Sequence, residues 1–378
     1  MKKIRVAFCL RDMQMGGVES VLIRTLDELL KRKDIDISII TYVNIHEKTY
    51  LDYFKEHPQI KVYSLYPSRA LGTKLPHFFA AKIFMHLMRD IYRNVRRIIF
   101  SMRKFKNIDV FIDYHDFGFA NELKSIKNAK KIAWYHSSFD VFVKRNFKNK
   151  LKYYDNVVVL TDACRVDIAE LCSQYKNKIV RIYNPLNIKS VQDKAKQKRQ
   201  INGKYFCAVS RLSFDKDIKT LLNGFDLFWA KNNQPDVKLV IVGDGDKADE
   251  YKNYAKGLKS KKQIVFAGQQ TNPFVYMKYA MANVLSSYGE GLPTVLIESS
   301  ALSVLNIASD CKYGPREILL SGRGGLIFEP GNAEQLSDCM GDVFNKKIDS
   351  AKMIKESDKA LNRFDAKNIT REIISLIS

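Results

Sequence analysis

No stretch of the 378 residues approaches the roughly 20 consecutive apolar residues that cross a bilayer, so no membrane-spanning helix is expected. The opening run KKIRVAFCLRDM has an apolar core broken by Arg11 and too short for a secretory leader, and a cytoplasmic protein is expected. The six cysteines, Cys9, Cys164, Cys172, Cys207, Cys311 and Cys339, form no CxxC pair and have no histidine at ligand spacing. They read as small buried hydrophobes. Low-complexity tracts are absent, and no repeat exists beyond a similar layout of the two halves. A 46% hydrophobic and 28% charged composition is that of a folded globular chain, which argues against disorder.

Negative charge is the scarce commodity: 41 acidic residues face 63 basic ones, a net charge of +22. Residues 1–184 hold 34 basic and 19 acidic residues, and the remainder 29 and 22, so the first half carries most of the excess. Such an imbalance speaks of partners: nucleic acid, an anionic membrane leaflet or a phosphate-rich substrate.

Length predicts two domains. Short β-rich runs alternate with helical patterns, the signature of parallel sheets with crossover helices, and two doubly wound α/β domains are expected. Strands are predicted at 4–10, 36–42, 60–65, 109–114, 131–136, 156–161 and 178–183, then at 205–210, 238–244, 263–268, 282–287, 306–310 and 325–329. The polar, basic segment 184–204 opens with an Asn-Pro turn signal and marks the junction. The domains are therefore 1–185 and 186–361, with the amphipathic end, 362–378, crossing back to the first.

The strongest constellation is SSYGEGLPTVLIESS, residues 286–300. A strand ends, a Gly- and Pro-containing turn follows, and a helix begins near Pro293 or Thr294. A helix start after such a turn aims free N–H groups and the positive dipole end at an anion, so Gly291, Leu292, Pro293, Thr294 and Val295 form a candidate diphosphate cradle. Glu298, about one turn into the helix, can accept from ribose hydroxyls, and Glu290 can reach sugar hydroxyls. Taken alone, Glu290 reads equally as a solvated loop acid and Glu298 as a dipole partner.

This segment resembles the E-x7-E signature of family four of the retaining GT-B glycosyltransferases. Further matches follow in order: RDMQMGGVES (11–20), WYHSSF (134–139), VRIYNPL (180–186), VSRLSFDKDIKTLL (209–222), LVIVGDGD (239–246) and SDCKYGPREILLSGRGGLIFEPGN (309–332). The resemblance implies a GT-B fold, two Rossmann-like domains facing across a cleft, with the acceptor in the first and the nucleotide sugar in the second. It implies that Arg211 and Lys216 clamp the donor diphosphate as it leaves, that Gly16 and Gly17 allow close approach of a sugar or phosphate, and that His136 contacts the donor sugar. Without it, Arg211 and Lys216 read as solvated charges, Gly16 and Gly17 as a tight strand-to-helix turn, and His136 as structural, with His115 a rival at a similar strand end. Ser210 stands where the family commonly has glycine, and 300–309 lacks a frequent Gly-x-Pro turn.

The acidic pairs Asp34 and Asp36, Asp215 and Asp217, and Asp244 and Asp246 imitate the Asp-x-Asp of metal-dependent transferases. They read as loop features, and no catalytic metal and no cofactor beyond a nucleotide-sugar co-substrate, a UDP-hexose or UDP-N-acetylhexosamine, is expected.

Residues 74–106 hold nine basic residues and one acid. At about 100° per residue, Lys82, His86, Arg89, Arg93, Arg96, Arg97, Arg103 and Lys104 share one face of a helix over about 77–104, and Phe84, Leu87, Met88, Ile91, Val95, Ile98 and Met102 the other. A basic stripe suits an anionic leaflet or a lipid pyrophosphate; an ordinary solvated face is the plain alternative. Nucleic acid is not expected, since aromatics are not interleaved there and no binding module is recognised.

The expected function is a retaining, metal-independent transfer of a hexose or N-acetylhexosamine from a nucleotide diphosphate sugar to a lipid-linked saccharide. The chain resembles transferases that build lipid-linked oligosaccharides for bacterial surface glycans such as lipopolysaccharide or capsule, and it is expected at the inner face of the plasma membrane. Two alternatives remain: a nucleotide-sugar epimerase of the same fold, and a non-catalytic binder of membrane or nucleic acid.

Overall fold

Strands buried on both faces must be apolar along their whole length, which is why parallel strands read as unbroken runs such as Val157, Val158 and Val159, all with no exposed surface. The computed structural model describes residues 3–14, 16–66, 95 and 105–378. Seven strands form the first sheet: β1 (Ile4–Leu10), β2 (Ile35–Val43), β3 (Lys61–Tyr66), β4 (Val110–Asp113), β5 (Lys130–Tyr135), β6 (Asn156–Val159) and β7 (Ile179–Arg181). Their order is β3-β2-β1-β4-β5-β6-β7, with every pairing parallel. Register runs from Ile4 opposite Ile35 to Leu10 opposite Thr41, and from Val6 opposite Val110 to Cys9 opposite Asp113.

The second sheet repeats this winding with β8 (Lys204–Val209), β9 (Val237–Val242), β10 (Ile264–Gly268), β11 (Asn283–Leu285), β12 (Asn306–Ser309) and β13 (Leu326–Phe328), in the order β10-β9-β8-β11-β12-β13, again parallel. Phe206, Leu239, Ile241 and Ile307 are fully buried at its centre, where Phe225 and Phe228 from the helix Ile218–Lys231 meet them. Each sheet thus grows outward in both directions from its first strand. That leaves a crevice beyond the carboxyl ends at β1/β4 in one and β8/β11 in the other, the places where open α/β sheets take ligands.

The chain divides into two units. The first comprises the described residues up to Val159, Arg165–Ile182 and Thr370–Ser378; the second comprises Leu160–Cys164 and Tyr183–Ile369. The division therefore falls within the last helix, Ala366–Ile377, whose Ile369, Ile373 and Ile377 recur every fourth residue and are buried. In the first unit Arg181 pairs with Glu372 at 3.5 Å, and the Lys130 ammonium donates to the Leu376 carbonyl.

The basic helix expected over about 77–104 lies outside the described residues apart from Val95, which is helical and 48% exposed rather than covered as its assigned apolar face would require. Among the described residues, no helix is long and apolar enough to cross a membrane.

Glycine is demanded where the ends of β8 and β9 touch. Gly243 has φ +139°, and a Cβ there would lie 1.9 Å from the Ser210 carbonyl oxygen. The backbone bonds Ser210 N–H to Val242 O (3.1 Å) and Gly243 N–H to Gly268 O (2.8 Å) fix that approach. Gly243→Ala is expected to lower the urea-unfolding free energy by more than about 2 kcal/mol, since it adds a clash to a disfavoured φ. Gly203→Ala, at φ +83° with open space around its Cβ, is expected to cost about 1 kcal/mol. Equal losses would contradict the steric argument.

Candidate active site

In the second unit the loops after β8 and β11, neighbouring strands, carry the predicted residues. Lys216 closes the 3-10 turn Phe214–Lys216, and its ammonium meets Glu290 Oε1 at 2.7 Å and Asp215 Oδ2 at 3.4 Å. Burial pulls the Lys216 pKa down, but Glu290 and Asp215 outweigh it and hold the group above its ordinary value, so it is a cation at neutral pH. Ser287 Oγ donates to the same Glu290 oxygen at 2.6 Å. Three further bonds hold the loops in register: Ser286 Oγ to Lys216 O (2.9 Å), Tyr288 N–H to Asp215 O (2.9 Å) and Ser309 Oγ to Ser287 O (2.6 Å).

The helix after this turn spans Thr294–Ala301 with Pro293 as its N-cap and no capping side chain. Among the described residues the amides of Gly291, Leu292, Thr294 and Val295 have no protein acceptor, as an open helix N-terminus requires. Pro293 has no N–H, so it shapes the cradle and donates nothing to it. Gly314 leans on Pro293, where a Cβ would lie 2.3 Å from Pro293 Cδ. Glu298 is the fifth residue of the helix and is 8% exposed.

Arg211 is exposed on the loop after β8, and among the described residues its guanidinium makes no ion pair. Asp244 and Lys247 position that loop: Leu212 N–H donates to Asp244 O (3.0 Å) and Lys247 N–H to Leu212 O (2.9 Å). Several members of the acidic pairs are engaged locally. Asp34 pairs with Arg32, Asp36 with Lys3, and Asp217 caps the helix Ile218–Lys231 through Thr220 N–H. Among the described residues no group of three His, Cys, Asp or Glu side chains could hold a metal ion.

In the first unit His136 follows β5. Its N–H donates to Asp116 Oδ1 at 2.7 Å, its ring lies 4.7 Å from that of Tyr114, and its Nε2 is buried without a partner. Burial drives its pKa down to about 4, with the nearby Asp116 opposing and His115 assisting, so the imidazole is neutral. An orphaned buried ring nitrogen fits a site completed by a ligand hydroxyl.

Gly16 and Gly17 differ from each other. Gly16 is the N-cap of the helix Gly17–Leu29, and a Cβ there would lie 2.6 Å from the Glu19 carboxylate. A side chain at position 16 would therefore collide with the Glu19 carboxylate, whereas glycine leaves the backbone open to close approach. Gly17 has open space about its Cβ.

Sequence reasoning missed Ser287, which orients Glu290, and Asp116, which positions His136. Asp116 carries a signal only in the structure, a left-handed φ of 52° at a non-glycine residue.

With this geometry in place, residues 191–360 match the family Glycosyl transferases group 1. The match spans less than half of the 378-residue chain and falls within the second unit. The chain is 26% identical over 335 residues to an uncharacterized glycosyltransferase of Methanocaldococcus jannaschii, covering 75% of this chain and 82% of the relative. It is 28% identical over 170 residues to the N-acetylgalactosamine-N,N'-diacetylbacillosaminyl-diphospho-undecaprenol 4-alpha-N-acetylgalactosaminyltransferase of Campylobacter jejuni, covering 45% of each. The crystal structure of HepE from Anabaena, in complex with UDP, superposes with a TM-score of 0.75 at 15% identity, covering 99% of both chains. The architecture is that of GT-B glycosyltransferases, two parallel-sheet Rossmann-like domains.

The lowered His136 pKa makes stability depend on pH. Its folded pKa lies below the ordinary 6.5, so the stability it contributes is present above pH 6.5 and is lost as pH falls toward 4. Burial raises Asp113 to about 6, against the bonds from Tyr154, Phe119 and His115 to its carboxylate, and Asp113 titrates with the opposite sign. A comparison with His136→Asn cancels that contribution. Urea midpoints of the native chain are expected to fall more between pH 7 and pH 5 than those of His136→Asn; parallel falls would show that His136 is not desolvated.

Proposed function

We propose that this glycosyltransferase moves a hexose or N-acetylhexosamine from a nucleotide diphosphate sugar, a UDP-sugar, to a lipid-linked saccharide, with retention and without a metal or other cofactor. The observation that carries the reading is the Lys216 and Glu290 contact beside the open amides of the Thr294–Ala301 helix. It sets a fixed cation and a helix N-terminus where a leaving diphosphate gains negative charge. Arg211 supplies a second cation on the same loop, and Glu298 an acceptor for ribose hydroxyls.

In the proposed reaction the acceptor hydroxyl oxygen bonds to the anomeric carbon on the face from which the diphosphate departs. The bond from that carbon to the diphosphate oxygen breaks, and the hydroxyl proton passes to that oxygen. Glu290, held by Lys216 and Ser287, orients the sugar hydroxyls and is not a nucleophile. His136, neutral and with a free Nε2, contacts the sugar. Two relatives support donor and acceptor: the Anabaena HepE structure is a complex with UDP, and the Campylobacter jejuni relative is an N-acetylgalactosaminyltransferase named for a diphospho-undecaprenol saccharide. The basic composition of residues 74–106 supports action at the anionic inner face of the plasma membrane.

A panel of labelled UDP-sugars incubated with an undecaprenyl-diphosphate oligosaccharide is expected to yield labelled lipid from one donor, with an α-linkage from an α-donor by NMR. Lys216→Ala is expected to lower kcat/KM by about 10²–10³, the usual cost of losing a transition-state donor. Glu298→Ala is expected to lower it by at least about tenfold. Free sugar released without acceptor would point to the epimerase. No labelled lipid with any donor, together with unchanged donor binding in Glu298→Ala, would falsify the transferase reading.

A further inference from the structure

The first unit contains a second cationic site, at the β1/β4 crevice of its own sheet. A cavity of about 500 Å³ opens there, within the usual range of ligand pockets, lined among others by Arg11, His115, Asp116, Arg145 and Lys150. Arg11 follows β1, His115 and Asp116 follow β4, Arg145 ends the helix after β5, and Lys150 lies in the next turn. Among the described residues the guanidinium groups of Arg11 and Arg145 make no ion pair.

The acids nearby are already committed. Asp116 accepts from His136 N–H and Ser137 Oγ, and Asp113 from Tyr154, Phe119 and His115. Glu122 accepts from the Tyr42 hydroxyl at 2.7 Å, and Asp12 from Gln14 at 2.9 Å. Lys150 donates to the Phe117 carbonyl at 3.0 Å and sits 4.9 Å above the Phe147 ring. Burial lowers its pKa, and Arg11 and Arg145 lower it further against the attraction of Asp113 and Glu122.

Gly118 makes room for the arrangement: a Cβ there would lie 3.2 Å from Arg11 Cγ and 2.9 Å from the His115 carbonyl. Left-handed backbone at Asp116 (φ 52°) and Phe117 (φ 61°) turns the loop into the cavity wall. Three cations are thus gathered around one cavity whose lining holds a single carboxylate, Asp116, turned toward the His136 amide and the Ser137 hydroxyl, so positive charge is in excess there. That is unfavourable in the empty protein and becomes favourable when a multiply charged oxyanion enters.

We propose that this pocket binds phosphoryl oxygens, and specifically the diphosphate that joins lipid to saccharide in the acceptor. The second half of that statement rests on the function proposed above; the first half does not. The three cations would take the non-bridging oxygens, and Arg145 and Lys150 would set how the acceptor is held rather than act on the reacting bond.

The test uses the full chain saturated with UDP, so that the second unit's diphosphate site is filled. Calorimetric titration with inorganic pyrophosphate and with farnesyl diphosphate is expected to show binding by both, weakened at least about tenfold in Arg145→Gln and in Arg145→Gln/Lys150→Gln, while UDP affinity is unchanged. Unchanged UDP affinity also reports that the variants fold, and the exposed Arg145 single variant guards against disruption by Lys150.

In transfer assays the acceptor KM is expected to rise at least about tenfold for the diphosphate-linked acceptor and to stay level for the same saccharide on an alkyl chain without phosphate. If neither ligand binds, or if both bind equally well to the variants, the pocket is not a phosphoryl site. If pyrophosphate binding is weakened but the diphosphate acceptor KM is not, the pocket serves a free anion and the acceptor assignment is overturned. If no transfer occurs at all, the proposed function fails, and the two titrations still decide the pocket.

Discussion

A buried ammonium on one loop and a carboxylate on the next set the terms for the second unit. Lys216 and Glu290 are 74 positions apart, yet their 2.7 Å contact ties the loop after β8 to the loop after β11. Both side chains are mostly covered, at 20% and 12% exposure, so each would be costly without the other. Everything nearby is arranged to keep that pair in place: Ser287 on the same carboxylate oxygen, Ser286 and Tyr288 bonding to the backbone of Lys216 and Asp215, and Gly314 against Pro293. The open amides at the start of the Thr294–Ala301 helix gain their meaning from this setting. A helix N-terminus alone is common; one beside a fixed cation is a place for a departing anion.

The same winding occurs in both units, and so does its consequence. A sheet that grows outward from its first strand leaves the first and fourth strands side by side with their loops diverging. In the second unit that point holds Lys216 and Glu290. In the first it holds Arg11, His115 and Asp116, with Arg145 and Lys150 completing the cavity. More than half of the first half's charge excess lies elsewhere, in residues 74–106, where nine basic residues face one acid.

The sheets were legible because parallel strands buried on both faces leave unbroken apolar runs; all thirteen predicted strands overlap observed ones. The helix beginning at Thr294 was legible from its Gly-Glu-Gly-Leu-Pro turn. What could not be read were partnerships across long separations. Nothing local marks Ser287 as the residue that orients Glu290, or Arg145 and Lys150 as neighbours of Arg11, because the fold alone brings them together. Nor does anything local mark the Glu19 carboxylate, three residues on, as the group that a Cβ at Gly16 would meet.

The role proposed for Lys216 and the helix start is to hold a diphosphate. Calorimetric titration of UDP and of uridine into the native chain and into Lys216→Met tests it most directly. UDP is expected to bind the native chain at least about a hundredfold more tightly than uridine, and Lys216→Met is expected to remove most of that difference while leaving uridine binding alone. Equal affinities for UDP and uridine, or a UDP preference that survives the substitution intact, would contradict it.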